Sequence, residues 1–547
     1  MSDRRWLMVI LCAGLLILLP GMFQLPLMDR DEPRFSRAAV EMIERGDWAV
    51  PWFNGNFRFD KPPLTYWLMM PFLAAFGETE AAVRMPTVLS ALACAWLIFS
   101  FGKRLGHPAN RAALASLAWL TCLQVLIHGR TAVADMHLIL MLIVTMRALW
   151  ELAMENRTDT IWRRKWFHIL WLSMGIGFLA KGPLALAVPL VALLCSLVLE
   201  KFGNKDGNAY APKLLRHWAI ALLPSLALVA LWGIPALVAT QGLFYEVGIG
   251  THVVDRGLEG FNERKTIPVI YYFLVLPIFF APWTGGLVDA LNAMRSRQTN
   301  DRYLAAWVIA PLLLFSGYAT QLPHYILPAY PALFLLLAGA WNRGSRKGKI
   351  SLAAMPSLLF FLLALAAAWG AWQARTFDAA LARMLIGLAT FALSLSVASL
   401  CFGLSRLLAG FTAMFFAVVG YQWLAIHASQ AHVVKRLIAA ADTSFSAPAS
   451  IGYSEPSLVW YGSTQWTFAG NYPESADFHV LQGRRWRADG KTLAAIWQGK
   501  SPTPTRTADA EAMKLVPPHA AAVQGWSAAD SSWVELLYWR KAPPAGN

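Results

Sequence analysis

The sequence predicts a polytopic α-helical membrane protein with a small soluble α/β domain at its C-terminal end. Three observations predict it. Of 547 residues, 57% are hydrophobic and only 14% are charged, against about 25% charged in soluble domains. Apolar runs, each long enough to cross about 30 Å of hydrocarbon, recur as far as residue 427. Beyond residue 428 the chain turns polar and carries short β-like runs.

Thirteen apolar segments can be counted, at about 6–27, 81–101, 110–128, 132–152, 166–181, 183–200, 217–238, 267–284, 303–320, 323–341, 350–373, 384–404 and 410–427. The first follows Arg4 and Arg5, as a signal peptide would. No small-residue cleavage site comes after it and many more spans do, so it is read as a retained helix. With the N-terminus inside, the inside loops carry Arg4/Arg5, Lys103/Arg104/Arg111, Arg157/Arg163/Arg164/Lys165, Lys201/Lys205/Lys213/Arg216, Arg295/Arg297/Arg302, Arg343/Arg346/Lys347/Lys349 and Arg406. Every inside loop is therefore basic, as the positive-inside bias requires. The net charge of +15 is accounted for in this way and does not call for nucleic acid. An odd number of spans puts the C-terminal domain, 428–547, outside.

The five cysteines, Cys12, Cys94, Cys122, Cys195 and Cys401, all fall in apolar segments. This argues against a disulfide framework or a thiolate metal site and reads them as small buried hydrophobes.

Two outside loops are long, 28–80 and 239–266. In the first, Phe35, Ala38, Ala39, Met42 and Ile43 recur at helical spacing among Arg34, Arg37, Glu41, Glu44 and Arg45. Such a helix is expected in the interface plane. Leu64 to Phe76, after Pro62-Pro63, predicts a second helix too short to span. In the C-terminal domain, strands are expected at Ser450–Tyr453, Leu458–Tyr461, Phe478–Leu481 and Trp533–Trp539.

Carboxylates are costly near lipid, so acids at a membrane face are functional candidates. Asp31 and Glu32, Asp60 and Asp135 fall at outside ends of segments. Lys61, Lys181 and Arg256 share that face, with His324 and Tyr325 in Gln321-Leu-Pro-His-Tyr-Ile-Leu-Pro328. Lysine and arginine grip phosphate oxygens, and a tyrosine hydroxyl adds a donor. The pattern suggests chemistry on a lipid-borne anion. Taken singly, each acid also reads as a solvated interfacial charge, and each cation as a snorkelling one. No nucleotide-binding glycine loop, His-Glu-x-x-His or Cys-x-x-Cys occurs. Oxygen-ligand sites leave little sequence signature, so a carboxylate-held divalent cation at Asp60 is compatible with the pattern.

In order, Asp31-Glu32-Pro-Arg-Phe, Gly46-Asp-Trp, Phe59-Asp-Lys-Pro, Asp135-Met, Lys181-Gly, Glu246 to Arg256, Pro282-Trp283 and Leu322-Pro-His-Tyr-Ile-Leu-Pro resemble the bacterial GT-C glycosyltransferases. The set is similar to the group joining aminoarabinose transferases of lipid A with protein O-mannosyltransferase-like enzymes. It covers most of residues 1–340, and the C-terminal domain matches no motif. The resemblance implies thirteen transmembrane helices, two juxtamembrane helices in the first outside loop and a periplasmic C-terminal domain in the bacterial inner membrane. It implies a sugar donor linked through phosphate to undecaprenol or a similar polyprenol. Asp31 matches the acid proposed as catalytic and Asp135 a second cavity acid. Lys61, Arg256 and Tyr325 match donor-phosphate positions. Glu32, Asp60, Lys181, Glu246 and His324 complete the expected cavity. At Asp60 the aminoarabinose transferases usually carry glutamate, which leaves the acceptor open between lipid A, another surface glycolipid and protein hydroxyls.

Two other classes compete. A transporter of lipid-linked sugars would use the same basic cavity, but such proteins often show two related halves and none is visible here. A mere anchor for the C-terminal domain would not need so many spans.

Overall fold

The computed structural model describes the chain except residues 156–159, 202–209, 249, 251–269, 341–345, 376–377, 404–406, 442–444, 469–474, 488–503, 505, 509, 530–531 and 541–547. Helices occupy all thirteen apolar segments. The first ten helices of the chain are α1 (Asp3–Leu18), α2 (Asp31–Arg45), α3 (Leu64–Phe76), α4 (Glu80–Arg104), α5 (Ala109–Thr121), α6 (Leu123–His128), α7 (Asp135–Met154), α8 (Lys165–Lys181), α9 (Leu184–Lys201) and α10 (Ala211–Ala239). Among the described residues seven helices have the length and composition to cross a membrane, α4, α7, α9 and α10 among them. This is a polytopic helical bundle with one continuous apolar core, from Ile10 in α1 to Ala340.

Several segments depart from a simple span. The first helix stops at Leu18 rather than near Leu27, because Pro20 and Gly21, at φ +79°, turn the chain. The third segment is broken at Cys122, whose backbone is extended between α5 and α6. The eighth is helical only over Ile270–Phe279. The tenth begins as a 3-10 turn, Pro323–Ala329, before the helix Tyr330–Ala340. Of the cysteines, Cys94 and Cys122 are buried, whereas Cys12 is exposed on the outer side of α1; none of the four described is paired.

The segment 28–80 forms the two expected helices, α2 and α3. Residues 35–42 are buried on every side. The helix packs against α3 and against the short helix Pro456–Tyr461 of the C-terminal region, and Trp460 joins Phe35, Tyr66 and Met69 in one apolar cluster. Between α2 and α3, strands β1 (Trp52–Phe53) and β2 (Asn56–Phe57) pair as a hairpin. Its two turn residues, Asn54 and Gly55, both have positive φ, as a type I′ turn requires.

Past the helix Leu407–Ala431, the chain builds a six-stranded mixed sheet from β3 (Pro448–Ile451), β4 (Thr467–Phe468), β5 (Phe478–Arg487), β6 (Arg506–Thr507), β7 (Ala521–Ser527) and β8 (Ser532–Arg540). The order is β4-β3-β5-β8-β7, with β6 on the side of β5. The β-like run Leu458–Tyr461 is helical instead, because Pro456 at its start has a φ preset for a first helical turn.

Candidate functional site

Asp31 opens α2 and is exposed, while Glu32 is 1% exposed. Consecutive helical residues point about 100° apart, so the two acids part company. The Glu32 carboxylate accepts from Arg84 Nε at 2.9 Å and Nη2 at 2.8 Å, and from the backbone N–H of Met28 and Ala132. Arg84 also donates to the carbonyls of Met22, Leu25 and Pro26. Glu32 is thus a fastening of the loop onto α4 and not a cavity acid, which corrects the expectation from sequence.

The hairpin delivers the next group. Arg58 donates from Nε to the Tyr66 hydroxyl (3.1 Å) and from Nη2 to Asp60 Oδ2 (2.9 Å). Lys61 Nζ reaches the Asp60 carbonyl at 2.9 Å and Oδ1 at 3.2 Å. With a guanidinium and an ammonium on its two oxygens, Asp60 does not fit a divalent cation. Among the described residues no group of three or more His, Cys, Asp or Glu is arranged to hold a metal. Asp31 lies within electrostatic reach of Arg34, Arg58 and Tyr66, so it shares Arg34 and Arg58 with Asp60. Burial and the like charge of Arg58 pull Arg34 below the usual arginine value.

A third group sits where spans end. Gly182, at φ +72° with open space around it, lets the chain turn sharply after Lys181. Lys181 Nζ lies 2.6 Å from Oδ1 of Asp135, the first residue of α7. The His324 ring is 4.9 Å from His128 and 5.0 Å from Tyr325, and Lys181 Nζ is 5.9 Å from the Tyr325 ring centre. Lys61 is within electrostatic reach of His324, which links this group to the hairpin.

Lys61, Asp60, Lys181 and Tyr325 line one cavity of about 380 Å³. The rest of its wall is apolar, with Phe178, Trp232, Leu237 and Phe244. The cavity therefore sets a few polar side chains in a largely apolar wall, a lining suited to an amphiphile with a charged head. Glu246 is exposed and not in this wall, and Arg256 lies outside the described residues. Sequence reasoning did not single out Arg34, Tyr66, Arg84 or His128. The partners of Arg84 and His128 lie far along the chain and leave no local signal; Arg34, three residues after Asp31 on a helix, carried one.

The C-terminal sheet is fastened onto the same loop. Asn54 Nδ2 donates to the Trp466 carbonyl (2.8 Å), and the Trp466 N–H donates back to Asn54 Oδ1 (2.7 Å). The Ser457 N–H donates to Asp29 Oδ1 at 3.0 Å, and Arg30 pairs with Glu455 at 3.5 Å. Burial, and secondarily the charge of Glu455, push Asp29 up to about 7.

Residues 60–232 match the family described as dolichyl-phosphate-mannose-protein mannosyltransferase. Relatives include an undecaprenyl phosphate-alpha-4-amino-4-deoxy-L-arabinose arabinosyl transferase of Yersinia pestis, 33% identical over 56% of this chain and 54% of that protein. A second such transferase, from Sodalis glossinidius, is 33% identical over 64% of this chain and 63% of its own length. The chain thus matches between half and two thirds of these relatives. Among solved structures, ArnT from Cupriavidus metallidurans bound to undecaprenyl phosphate superposes over 100% of both chains with a TM-score of 0.71 at 19% identity. Its apo state gives 0.68 at 18%. In fold this chain is of the GT-C type, and in sequence its membrane part resembles the polyprenyl-phosphate-dependent aminoarabinose transferases.

Proposed function

We propose that this chain is an inner-membrane glycosyltransferase that moves a sugar from a polyprenyl phosphate, undecaprenyl phosphate in the first instance, to an acceptor at the periplasmic face. All thirteen helices cross the bilayer in this reading, with the N-terminus cytoplasmic and residues 428–547 a periplasmic domain. One observation carries it. Lys61, Lys181 and Tyr325 converge in an apolar cavity of about 380 Å³, which offers a phosphate its cations and a polyprenyl chain its wall. The names of the relatives, which specify an undecaprenyl phosphate-linked sugar, support the donor class.

The acceptor oxygen attacks the anomeric carbon, the bond from that carbon to the phosphate oxygen breaks, and its electron pair leaves with polyprenyl phosphate. A single displacement of this kind inverts the anomeric centre. Lys61 and Arg256 meet the charge that grows on the leaving oxygen, and Tyr325 donates a hydrogen bond to it. Asp135 keeps Lys181 charged and positioned. Asp31, exposed at the start of α2, takes the proton of a hydroxyl acceptor, or orients an acceptor phosphate that is already ionised. Lipid A or another surface glycolipid is the acceptor that the resemblance favours. A protein hydroxyl is the second reading, supported by the mannosyltransferase family match.

Incubation of the purified protein in detergent with labelled polyprenyl-phosphate sugar and glycolipid tests the reaction. Release of polyprenyl phosphate with inverted product is expected, and Asp31→Asn should abolish it while the protein stays folded. Movement of intact donor across a vesicle bilayer without bond cleavage would identify a flippase instead.

A further inference from the structure

The β1–β2 hairpin is too small to hold itself in place. Its strands pair only as Trp52 with Phe57 and Phe53 with Asn56, and an isolated two-stranded hairpin is marginal in water. Its tip is fixed from two sides. From α2, the Glu41 carboxylate accepts the backbone N–H of Asn54 at 2.7 Å and of Gly55 at 3.1 Å. From the C-terminal domain, Trp466 exchanges two hydrogen bonds with the Asn54 amide. Phe53 packs against the apolar cluster that contains Trp466, Leu458 and Phe478. Trp466 is itself a fixed point in that cluster. It is 3% exposed, with its ring 5.8 Å from Phe445 and 6.3 Å from Phe478.

From the tip, direct contacts lead to the cavity. The Arg58 N–H donates to the Pro51 carbonyl at 2.8 Å and closes the base of the hairpin. Arg58 Nη2 holds Asp60 at 2.9 Å, and Asp60 holds the Lys61 ammonium through its carbonyl at 2.9 Å and Oδ1 at 3.2 Å. A second line runs through rings. Phe57 is 5.7 Å from Phe59, and Phe59 is 5.5 Å from Phe244. Phe59, Asp60, Lys61 and Phe244 all line the cavity, whereas Asn54 and Trp466 do not. Packed contacts of this kind transmit displacement, so the place of the tip bears on the place of Lys61.

We propose that Asn54 is a positioning residue for Lys61: clasped by Trp466, it lets the C-terminal domain set where the ammonium stands in the cavity and how tightly a polyprenyl phosphate is held. The inference rests on the donor reading above and adds to it a task for residues 428–547. Asparagine suits the position on two counts. It tolerates a positive φ, here +55°, better than most residues. Its amide also carries a donor and an acceptor on one planar group, as the Trp466 C=O and N–H require. Glycine would serve the turn equally well but has no side chain to reach Trp466. The turn alone therefore does not account for the amide, and the clasp does.

Asn54→Gly is the test, because it keeps the turn and the two backbone bonds to Glu41 and removes only the clasp. In the full-length protein in detergent, amide exchange across residues 52–61 should quicken and binding of undecaprenyl phosphate should weaken. Each change should be about threefold to tenfold, the scale of a neutral hydrogen bond. In turnover assays kcat/KM for the donor should fall by the same factor, while the acceptor KM stays within about twofold. Asn54→Gly combined with Lys61→Ala should bind undecaprenyl phosphate within about twofold of Lys61→Ala alone, because the asparagine acts through the ammonium. Unchanged exchange, unchanged binding, additive losses in the double variant or an equal rise in both KM values would each overturn the proposal. The exchange and binding arms need no transfer. A wild type that binds undecaprenyl phosphate with the help of Asn54 but never transfers a sugar would keep the clasp and refute the transferase reading. Transfer by the wild type with undiminished binding by Asn54→Gly would refute the clasp alone.

Discussion

Lys181 Nζ and Asp135 Oδ1 stand 2.6 Å apart and tie the last residue of α8 to the first of α7. Each charge sits at the helix end whose dipole favours it, and both side chains are 12% exposed. Removing one partner leaves the other buried and unpaired, which costs about 3–5 kcal/mol. Lys181→Met should therefore lower the unfolding midpoint in detergent strongly. The double variant Lys181→Met with Asp135→Asn should recover much of the loss, whereas transfer activity should remain low in both. Equal stability of the single and double variants would show that the pair is not coupled.

Glu32 and Arg84 fasten the first loop in the same manner, with exposures of 2% and 1%. Glu32→Gln keeps the shape but loses the charge that Arg84 and two backbone donors need. It should expose residues 28–80 to protease at concentrations that leave the wild type intact, with a stability loss of about 3 kcal/mol. Measured by limited proteolysis, a wild-type cleavage pattern would contradict this role.

Lys61 and Tyr325 are assigned to the donor phosphate. Lys61→Ala should raise the donor KM or lower kcat/KM by about 10- to 100-fold. Tyr325→Phe, which removes a single neutral donor, should cost about 0.5–1.5 kcal/mol, or roughly threefold to tenfold. Both should leave the acceptor KM within about twofold. Steady-state kinetics with each substrate varied separately checks the division of labour.

Asp29 provides a pH test. Its ordinary value is 3.8, and burial raises it to about 7 in the folded protein. The folded state thus binds a proton more tightly than the unfolded one, and stability must fall as pH climbs through that window. The fold should be most stable near pH 4 and least stable above pH 7, because burial penalises the ionised carboxylate more than the Ser457 donors offset. Asp29→Asn keeps the acceptor for the Ser457 N–H and should flatten the decline in melting temperature between about pH 4 and 7. The same pH slope in variant and wild type would assign the titration elsewhere.

Much of the site was legible one residue at a time. The spacing around Asp31, Lys61 and Tyr325 marked a polar strip on one face, and Lys61, Asp60, Lys181 and Tyr325 do meet in one cavity. Glu32 was misread because it adjoins Asp31 in sequence, and a helix turns neighbours to different sides. Leu458–Tyr461 read as a strand from composition, but Pro456 started a helix. The Asn54-Gly55 pair is a readable turn signal. Its purpose is not readable, since Asn54 is held by Trp466, 412 residues away.

The sequence by itself determined the membrane helices, the polar loops between them and the pool of ionisable residues at one face, because partition between water and hydrocarbon acts on each segment where it stands. Only the tertiary structure decided the use of each charge. Glu32 meets Arg84 across 52 residues and Lys181 meets Asp135 across 46, and Arg34 is left without a described partner. Pairing is a property of three-dimensional neighbours. In a medium of low dielectric it separates the charges that hold the fold from those that remain for a substrate.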